Sequence, residues 1–348
     1  MKNVSRPSLL LFFIFTVFIT VPAQKFTWDI DFKSVFDNRE GDHDYTPTET
    51  YFFTQLAPEV GLKFGSGDRV AGGVVWNQPI GREWGGARVS PTLYYRHEAP
   101  TWAFSMGMFP RTQLHEELPN FLWNDSLTYF QRNIRGALVQ YSKGKSFVDF
   151  YLDWRQMQTA EDREAFNIVL HGQWQPDRSP FFAGGHVMMN HYALTRNSGP
   201  DQHIVDNFVI NPYAGVDFSH ATALDSLRVR AGLLMTVERN RAYDYWSHPA
   251  GFWLDVRAEW RWLGVYNSFY AGGRQQPSRM PLGKPTTVVS SQLYQGEPFY
   301  GSTLYNRTDI YARIIRNRLV DLTASLDFNV TRDSFIFYQK LTLSLHLP

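Results

Sequence analysis

Ionisable side chains of both signs are concentrated between residues 110 and 132. The charged members are Arg111, His115, Glu116, Glu117, Asp125 and Arg132. The apolar and aromatic members that could anchor the segment against the wall are Phe121, Leu122, Trp123, Tyr129 and Phe130. Charges act strongly on ions in a narrow, partly desolvated passage, whereas aromatic rings left in water cost roughly 25 cal/mol per Å² of apolar area. The segment is therefore predicted to form a constriction in the pore, anchored by its rings. The alternative is that these rings pack on other loops or on a partner protein.

A second charged set lies in the stretch Gly251 to Trp262. Its polar members, which alternate with apolar residues, are Asp255, Arg257, Glu259 and Arg261. A strand of period two places these four on one face. They could form a solute-binding stripe in a pore, or pair with charges on neighbouring strands. Both interpretations make them pore-lining residues.

Other chemistry has little support in the sequence. The segment Lys143 to Ser146 ends like a phosphate-binding loop, but Val139 stands where the first glycine is required. Gly-x-Ser-x-Gly is absent, and so is cysteine. His186 and His191 are five residues apart, which places them on opposite faces of a strand. We therefore expect no enzyme activity, no cofactor and no metal, while an outer-membrane hydrolase with scattered Ser and His residues stays a minor alternative.

The elements that would position these residues are strands. Apolar and polar residues alternate in about sixteen segments, from Phe26, Trp28, Ile30 and Phe32 to Leu341, Leu343, Leu345 and Leu347. The connections alternate between short turns such as 65–67 and long polar loops such as 110–132 and 272–303. This asymmetry, with aromatic residues near the strand ends, is typical of outer-membrane barrels. The prediction is an all-β, transmembrane, antiparallel up-and-down β-barrel of about 16 strands.

The first 23 residues have the pattern of a secretory signal. Lys2 and Arg6 precede an apolar run, and Val21-Pro22-Ala23 provides a cleavage site. We predict a cleaved signal peptide over 1–23 and one barrel over 24–348, located in the outer membrane of a Gram-negative bacterium. The net charge of +1 gives no basic surplus, which argues against nucleic acid as a partner.

The chain resembles the outer-membrane β-barrel proteins of Bacteroidetes-type bacteria, some of which are porin-like. The resemblance rests on the alternation, the terminal strand Phe335 to Leu347, and the segments Trp28 to Phe32 and Phe109 to Arg111. It departs from the proteobacterial pattern at His346-Leu347-Pro348, where an aromatic terminus is usual. The resemblance implies outer-membrane lipid and the barrel assembly machinery as partners. In general porins the third outside loop folds inward and narrows the pore, and the connection 110–132 is the third outside loop here and is long.

Strand number decides between the functions considered. Sixteen strands enclose an aqueous channel, whereas eight are filled by side chains. We therefore predict a porin-like channel for passive diffusion of small hydrophilic solutes. The alternative is a loop-plugged barrel that binds or scaffolds within a surface uptake or secretion assembly. A homo-oligomer or a surface protein partner is compatible with both.

Overall fold

A computed structural model describes residues 24–41, 48–65, 67–199, 203–219, 221–241, 244–279 and 293–347. The predicted signal peptide lies outside these residues. Within them the chain forms one antiparallel sheet that closes on itself, because β1 pairs with both β2 and β17.

The sheet contains seventeen strands. They are β1 (Lys25–Gly41), β2 (Glu49–Phe64), β3 (Asp68–Pro79), β4 (Arg88–Glu98), β5 (Trp102–Pro110), β6 (Asn133–Lys143), β7 (Ser146–Gln156), β8 (Ala165–Trp174), β9 (Phe181–Tyr192), β10 (Val205–Asp217), β11 (Ser226–Asn240), β12 (Tyr245–Ser247), β13 (Ala250–Trp260), β14 (Leu263–Gly272), β15 (Leu304–Arg316), β16 (Val320–Thr331) and β17 (Phe335–Leu347). Apart from β12 and β13, which both pair with β11, every strand pairs with its neighbours in sequence, as in an up-and-down barrel.

The barrel wall is sixteen strands around, because β12 and β13 are two parts of one interrupted strand. Both pair with β11, at Glu238↔Ser247 and at Met235↔Ala250. Pro249 lies between them, and proline has no N–H to donate to a ladder. The prediction of a sixteen-stranded antiparallel barrel is therefore confirmed.

The alternation has the polarity of a membrane barrel. In β13, Phe252 points outward and is 49% exposed, whereas its neighbour Trp253 is 0% exposed and points into the lumen. The same holds in β6, where Val139 is exposed and Gln140 is buried. Outward apolar residues suit lipid, and inward polar residues suit a hydrated or hydrogen-bonded interior.

The two ends of the barrel differ. The end that carries Lys25 and the short connections, such as 144–145 and 261–262, is here called the turn end. The opposite end, which carries the longer connections 111–132 and 273–303, is called the loop end.

Helical structure is confined to short pieces. α1 (Asp125–Phe130) is capped by Asn124, whose side chain accepts from the Leu127 amide. Short 3-10 turns lie at Trp84–Gly86, Arg111–Gln113, Pro277–Arg279 and Pro298–Gly301. No helix in the described residues is long and apolar enough to cross a membrane.

Candidate functional site

The connection 111–132 folds into the lumen. It contacts inward-facing side chains on opposite parts of the wall, including Asp149 of β7, Arg228 of β11 and Arg307 of β15. Residues 273–279 and 293–303, from the connection between β14 and β15, pack against it. These three segments together are called the plug.

The loop-end half of the plug is held by charges around Asp125. Its carboxylate lies 3.1 Å from Arg307 Nη2 and 2.6 Å from Lys340 Nζ. Both cations also pair with Asp327 of β16. Burial raises the pKa of Asp125, but Arg307 and Lys340 outweigh burial and hold the pKa well below its ordinary value. The ionised Asp125 therefore links the plug to three wall strands through ion pairs.

Helix α1 rests on β1 and β2 through a second polar contact. Tyr129 donates to Asp37 at 3.0 Å, and Arg39 donates to the same carboxylate at 2.8 Å and to Ser126 at 3.2 Å. The ring of Phe53 lies 5.5 Å from the ring of Tyr129. These contacts fix the helix against the loop-end part of the wall.

The turn-end half of the plug is held by the predicted charged residues. His115 Nδ1 lies 2.5 Å from Asp149, and Glu116 lies 2.7 Å from Arg228 and 3.4 Å from Arg230. Each of these partners is on a wall strand. The plug therefore reaches from the loop end into the turn-end half of the lumen.

Arg111 begins the plug beside β7. Its Nη2 lies 2.6 Å from Asp153, and its guanidinium lies 3.8 Å from the centre of the Trp123 ring. Arg132, at the other end of the segment, pairs with Asp31 of β1.

Aromatic rings fill the space between these charged contacts. The ring of Phe121 lies 5.5 Å from that of Trp253 and 5.9 Å from that of Tyr300. Phe121, Leu122 and Trp123 are all buried. Edge-to-face packing of this kind adds to the area that the rings remove from water.

The segments 273–279 and 293–303 complete the plug through polar contacts. Tyr294 donates to Glu238 of β11 at 2.6 Å, and Tyr300 donates to Asn120 at 2.7 Å. The Glu297 amide donates to the Asn120 carbonyl at 2.8 Å. The sequence predicted only a long polar loop over 272–303, although the aromatic residues Tyr294, Phe299 and Tyr300 are a signal for burial of the kind present in 110–132.

The ladder of β13 is mostly a set of ion pairs. Asp255 lies 2.9 Å from Arg230, and Glu259 lies 2.9 Å from Arg313. Arg257 is exposed, and its guanidinium lies 5.8 Å from the Tyr266 ring. These contacts are the cross-strand pairing that the sequence offered as one interpretation.

Arg261 does not occupy the pore-lining position that was predicted for it. The strand expected to continue to Trp262 ends at Trp260, and Arg261 has a φ of 56° in the turn that follows. Its guanidinium lies 4.9 Å from the ring of Trp260, which is an exposed residue on the outer face. The turn to β14 redirects the side chain away from the ladder.

Of the predicted residues, Glu116 and His115 come together with wall charges at the turn end, and Asp125 does so at the loop end. Glu117 is an exposed residue of the plug. The sequence did not predict the wall partners of these residues, among them Asp149, Arg307 and Lys340, because these partners lie on strands elsewhere in the sequence.

Two cavities border the plug. One of about 20 Å³, lined by Phe121, Leu122 and Tyr294, has room for about one water molecule. The other, of about 250 Å³, lies at the turn end beside His115 and Gln140. Across the described part of the chain, no three His, Cys, Asp or Glu side chains are grouped to hold a metal ion.

The fold is similar to that of outer-membrane porins of known structure. The anion-selective porin from Comamonas acidovorans is 9% identical, with a TM-score of 0.56 over 93% of this chain and 100% of that chain. OmpF of Salmonella typhi, in complex with daunomycin, is 11% identical, with a TM-score of 0.54 over 91% and 97%. OccK1 of Pseudomonas aeruginosa is 10% identical, with a TM-score of 0.51 over 94% and 98%. At these identities the likeness shows an outer-membrane barrel fold alone.

No curated protein matches the sequence. A family model described as Lipid A 3'-O-deacylase-type matches residues 20–331. That description is the name of an enzyme, so the sequence-based prediction that this protein is not an enzyme is wrong. The prediction relied on short local motifs, whereas a barrel brings together side chains from strands far apart in sequence. On this match, the chain belongs to the Lipid A 3'-O-deacylase-type family.

Proposed function

We propose that this protein is an outer-membrane hydrolase that removes an ester-linked acyl chain from lipid A or a lipid of related chemistry. The observation that carries the proposal is the family match over residues 20–331. In this reaction water cleaves the ester bond, and the products are a carboxylic acid and an alcohol. The protein must supply a base for the water and a positive or hydrogen-bonding group for the carbonyl oxygen.

The plug supports this proposal. A channel for passive diffusion needs a continuous aqueous path, whereas here buried rings such as Phe121 and Tyr300 occupy the lumen. A filled barrel is instead a rigid support, and rigid elements hold catalytic groups more precisely than mobile loops do.

The test is hydrolysis by the purified protein in mixed micelles with hexa-acylated lipid A, followed by mass spectrometry. We expect time-dependent loss of one acyl chain, with release of the matching fatty acid. A general porin purified by the same route controls for contaminating esterases. Lipid A that keeps all its chains after prolonged incubation would contradict the proposal.

Passive diffusion is the second candidate, and the sixteen-stranded wall favours it. Planar-bilayer recording of the parent protein tests it directly. Steady single-channel currents would support a porin, and a silent bilayer would support a barrel closed by its plug.

A further inference from the structure

An arginine lies on the lipid-facing surface of the barrel near the loop end. Arg135 of β6 pairs with Met108 of β5, and its neighbour Ile134 is fully buried on the lumen side. Because side chains alternate along a strand, the side chain of Arg135 points outward. It is exposed, and no carboxylate of the described residues forms an ion pair with it.

The outer wall around Arg135 is apolar. The outward residues that surround it on β5, β6 and β7 are Met106, Met108, Ala137, Val139 and Leu152. A lipid-facing arginine is costly at the middle of a bilayer and much less so near its surface, where the long side chain reaches the headgroups. Arg135 is two residues from the start of β6 at Asn133, which is its loop end. Its position therefore suits an ion pair with an anionic headgroup.

Trp154 of β7 presents a flat face to Arg135. The register Gly136↔Asp153 places Arg135 beside Trp154 on the outer surface, and the Arg135 amide donates to the Asp153 carboxylate at 3.1 Å. One face of the indole is covered by Phe166 of β8, with centroids 4.9 Å apart and planes inclined by 19°. Because β7 lies between β6 and β8, the other face is directed toward β6. In the described part of the chain, no ring or guanidinium stacks on that face.

A row of stacked rings holds the indole in this orientation. Phe166 also stacks on His191 of β9, with centroids 4.5 Å apart and planes inclined by 23°. The three rings are side by side in the strand register, near the loop end of the wall. His191 Nε2 lies 3.6 Å from Glu164 Oε2, in the connection before β8. The free face of Trp154 is therefore fixed before any ligand arrives.

A shallow groove runs along the wall from Arg135 toward the middle of the bilayer. Ala137 is the next outward residue of β6, and it pairs with Met106 on one side and with Leu152 on the other. A methyl group between two longer side chains leaves a depression with apolar walls. An acyl chain is an occupant of matching chemistry, because contact there is between apolar surfaces.

We propose that this outer surface of β5, β6 and β7 binds one phosphate-bearing glycolipid of the outer leaflet. Arg135 holds the phosphate, the free face of Trp154 packs on a sugar ring, and the groove over Ala137 takes an acyl chain. The loop end is the outer end of the barrel, since the longer loops of such barrels lie outside. The inference goes beyond the hydrolysis proposed above, because the lipid is bound whether or not it is then cleaved.

The chemistry of the two side chains favours this lipid over others. The planar guanidinium matches two phosphate oxygens at once, which gives a strong, charge-assisted contact. The C–H groups of a sugar ring are partly positive and suit the negative face of an indole. A glycerophospholipid offers the phosphate and the chains, but it has no sugar ring for Trp154.

The experiment is native mass spectrometry of the detergent-purified protein. It is titrated with hexa-acylated bisphosphorylated lipid A, with the same lipid stripped of its phosphates, and with phosphatidylglycerol. We expect the parent to bind the phosphorylated lipid A most tightly. Arg135→Gln should raise the Kd for it about tenfold, because the charge-assisted contact with phosphate is lost.

Two further variants test the remaining parts of the site. Trp154→Ala should raise the Kd for lipid A and leave that for phosphatidylglycerol unchanged, because only lipid A has a sugar ring to lose contact. Ala137→Phe fills the groove and should raise the Kd for lipid A. If the Trp154→Ala variant loses affinity for both lipids equally, the ring does not recognise a sugar.

Matched controls lie elsewhere around the barrel. Arg332→Gln removes an exposed arginine from the connection between β16 and β17, and Ala324→Phe adds the same ring to an outward alanine of β16 that pairs with Ala312 and Leu341. Neither control should change the Kd for lipid A. Gel migration before and after heating shows whether each variant folds.

The outcomes separate this site from the proposed function. Equal affinities of the parent, Arg135→Gln and Arg332→Gln for lipid A would overturn the site. Equal binding of lipid A with and without its phosphates would overturn Arg135 as the phosphate partner, and phosphatidylglycerol that binds as tightly as lipid A would overturn the glycolipid as the occupant. The spectrum gives the mass of each bound lipid, so binding that depends on Arg135 without loss of an acyl chain supports the site and contradicts the hydrolysis.

Discussion

The carboxylate of Asp125 lies 3.1 Å from the guanidinium of Arg307, although the two residues are 182 positions apart in sequence. The first is in the plug and the second is on β15. Arg307 also lies 2.8 Å from Asp309 and 3.1 Å from Asp327. One cation therefore joins the plug to acidic groups on two wall strands, which makes this contact the natural place to test how the plug is held.

Removing the charge of Asp125 should loosen the plug. Asp125→Asn leaves Arg307 and Lys340 with fewer negative partners in a mostly buried site, and breaking a buried pair costs about 3–5 kcal/mol. Because the Asp125 side chain keeps 21% of its exposure, we expect a cost near 3 kcal/mol. Thermal unfolding measures it. Asp244→Asn, in an exposed pair with Arg239, is the control. Equal thermal midpoints for the two variants would contradict the role of Asp125 in holding the plug.

The turn-end half of the plug can be tested separately. Glu116→Gln removes the charge that faces Arg228 and Arg230, whereas Glu117→Gln changes an exposed neighbour. The chain has no cysteine, so Leu118→Cys provides one labelling site. We expect Glu116→Gln to raise the maleimide labelling rate about tenfold, which corresponds to about 1.4 kcal/mol. Equal rates in the two Gln variants would argue against anchoring by Glu116.

The barrel could be predicted because its signal is local. Alternation in a stretch such as Gly251–Trp262 depends on the period of the strand, and sixteen repeats with alternating connections leave few other architectures. The short strand β12 was not predicted, because the alternation was judged only from Gly251 onward. The turn at Arg261 was missed because the polar pattern continues one residue past the end of the ladder.

The candidate site could be predicted only in part. The aromatic residues of 110–132 indicated that the segment packs inward, since surface loops rarely carry so many rings. The partner of His115 gave no local signal, because Asp149 becomes its neighbour only when the plug crosses the lumen to β7. The packing of the segment 293–303 into the lumen was not predicted, because the connection 272–303 was judged from its length and polar residues.

Stability should depend on pH through Glu297. Burial and the nearby Asp125 raise the pKa of Glu297 above its ordinary value of 4.5. Between the unfolded and folded pKa values the unfolded chain releases this proton while the folded protein retains it, so this contribution to stability falls as pH rises above about 4.5. Glu297→Gln should lack this component. Thermal midpoints from pH 4 to 8 measure it, with the exposed Glu161→Gln as control, and parallel curves for parent and Glu297→Gln would contradict it.

The junction between the plug segments offers the sharpest steric test. Gly296 lies against the backbone of Phe121, and a Cβ placed at 296 would lie 1.9 Å from the Phe121 carbonyl oxygen. Hydrogen bonds on both sides hold this approach, from the Asn124 amide to the Gln295 carbonyl and from the Glu297 amide to the Asn120 carbonyl, each 2.8 Å long.

Gly296→Ala must therefore separate the two segments, because backbone cannot yield as a flexible side chain does. Overpacking of this kind costs about 1–3 kcal/mol. We expect a lower thermal midpoint and brief current openings in planar bilayers where the parent is silent. Gly85→Ala is the matched control, since a Cβ there meets no atom within 4 Å. If Gly296→Ala unfolds and conducts as Gly85→Ala does, contact between the two segments does not keep the lumen closed.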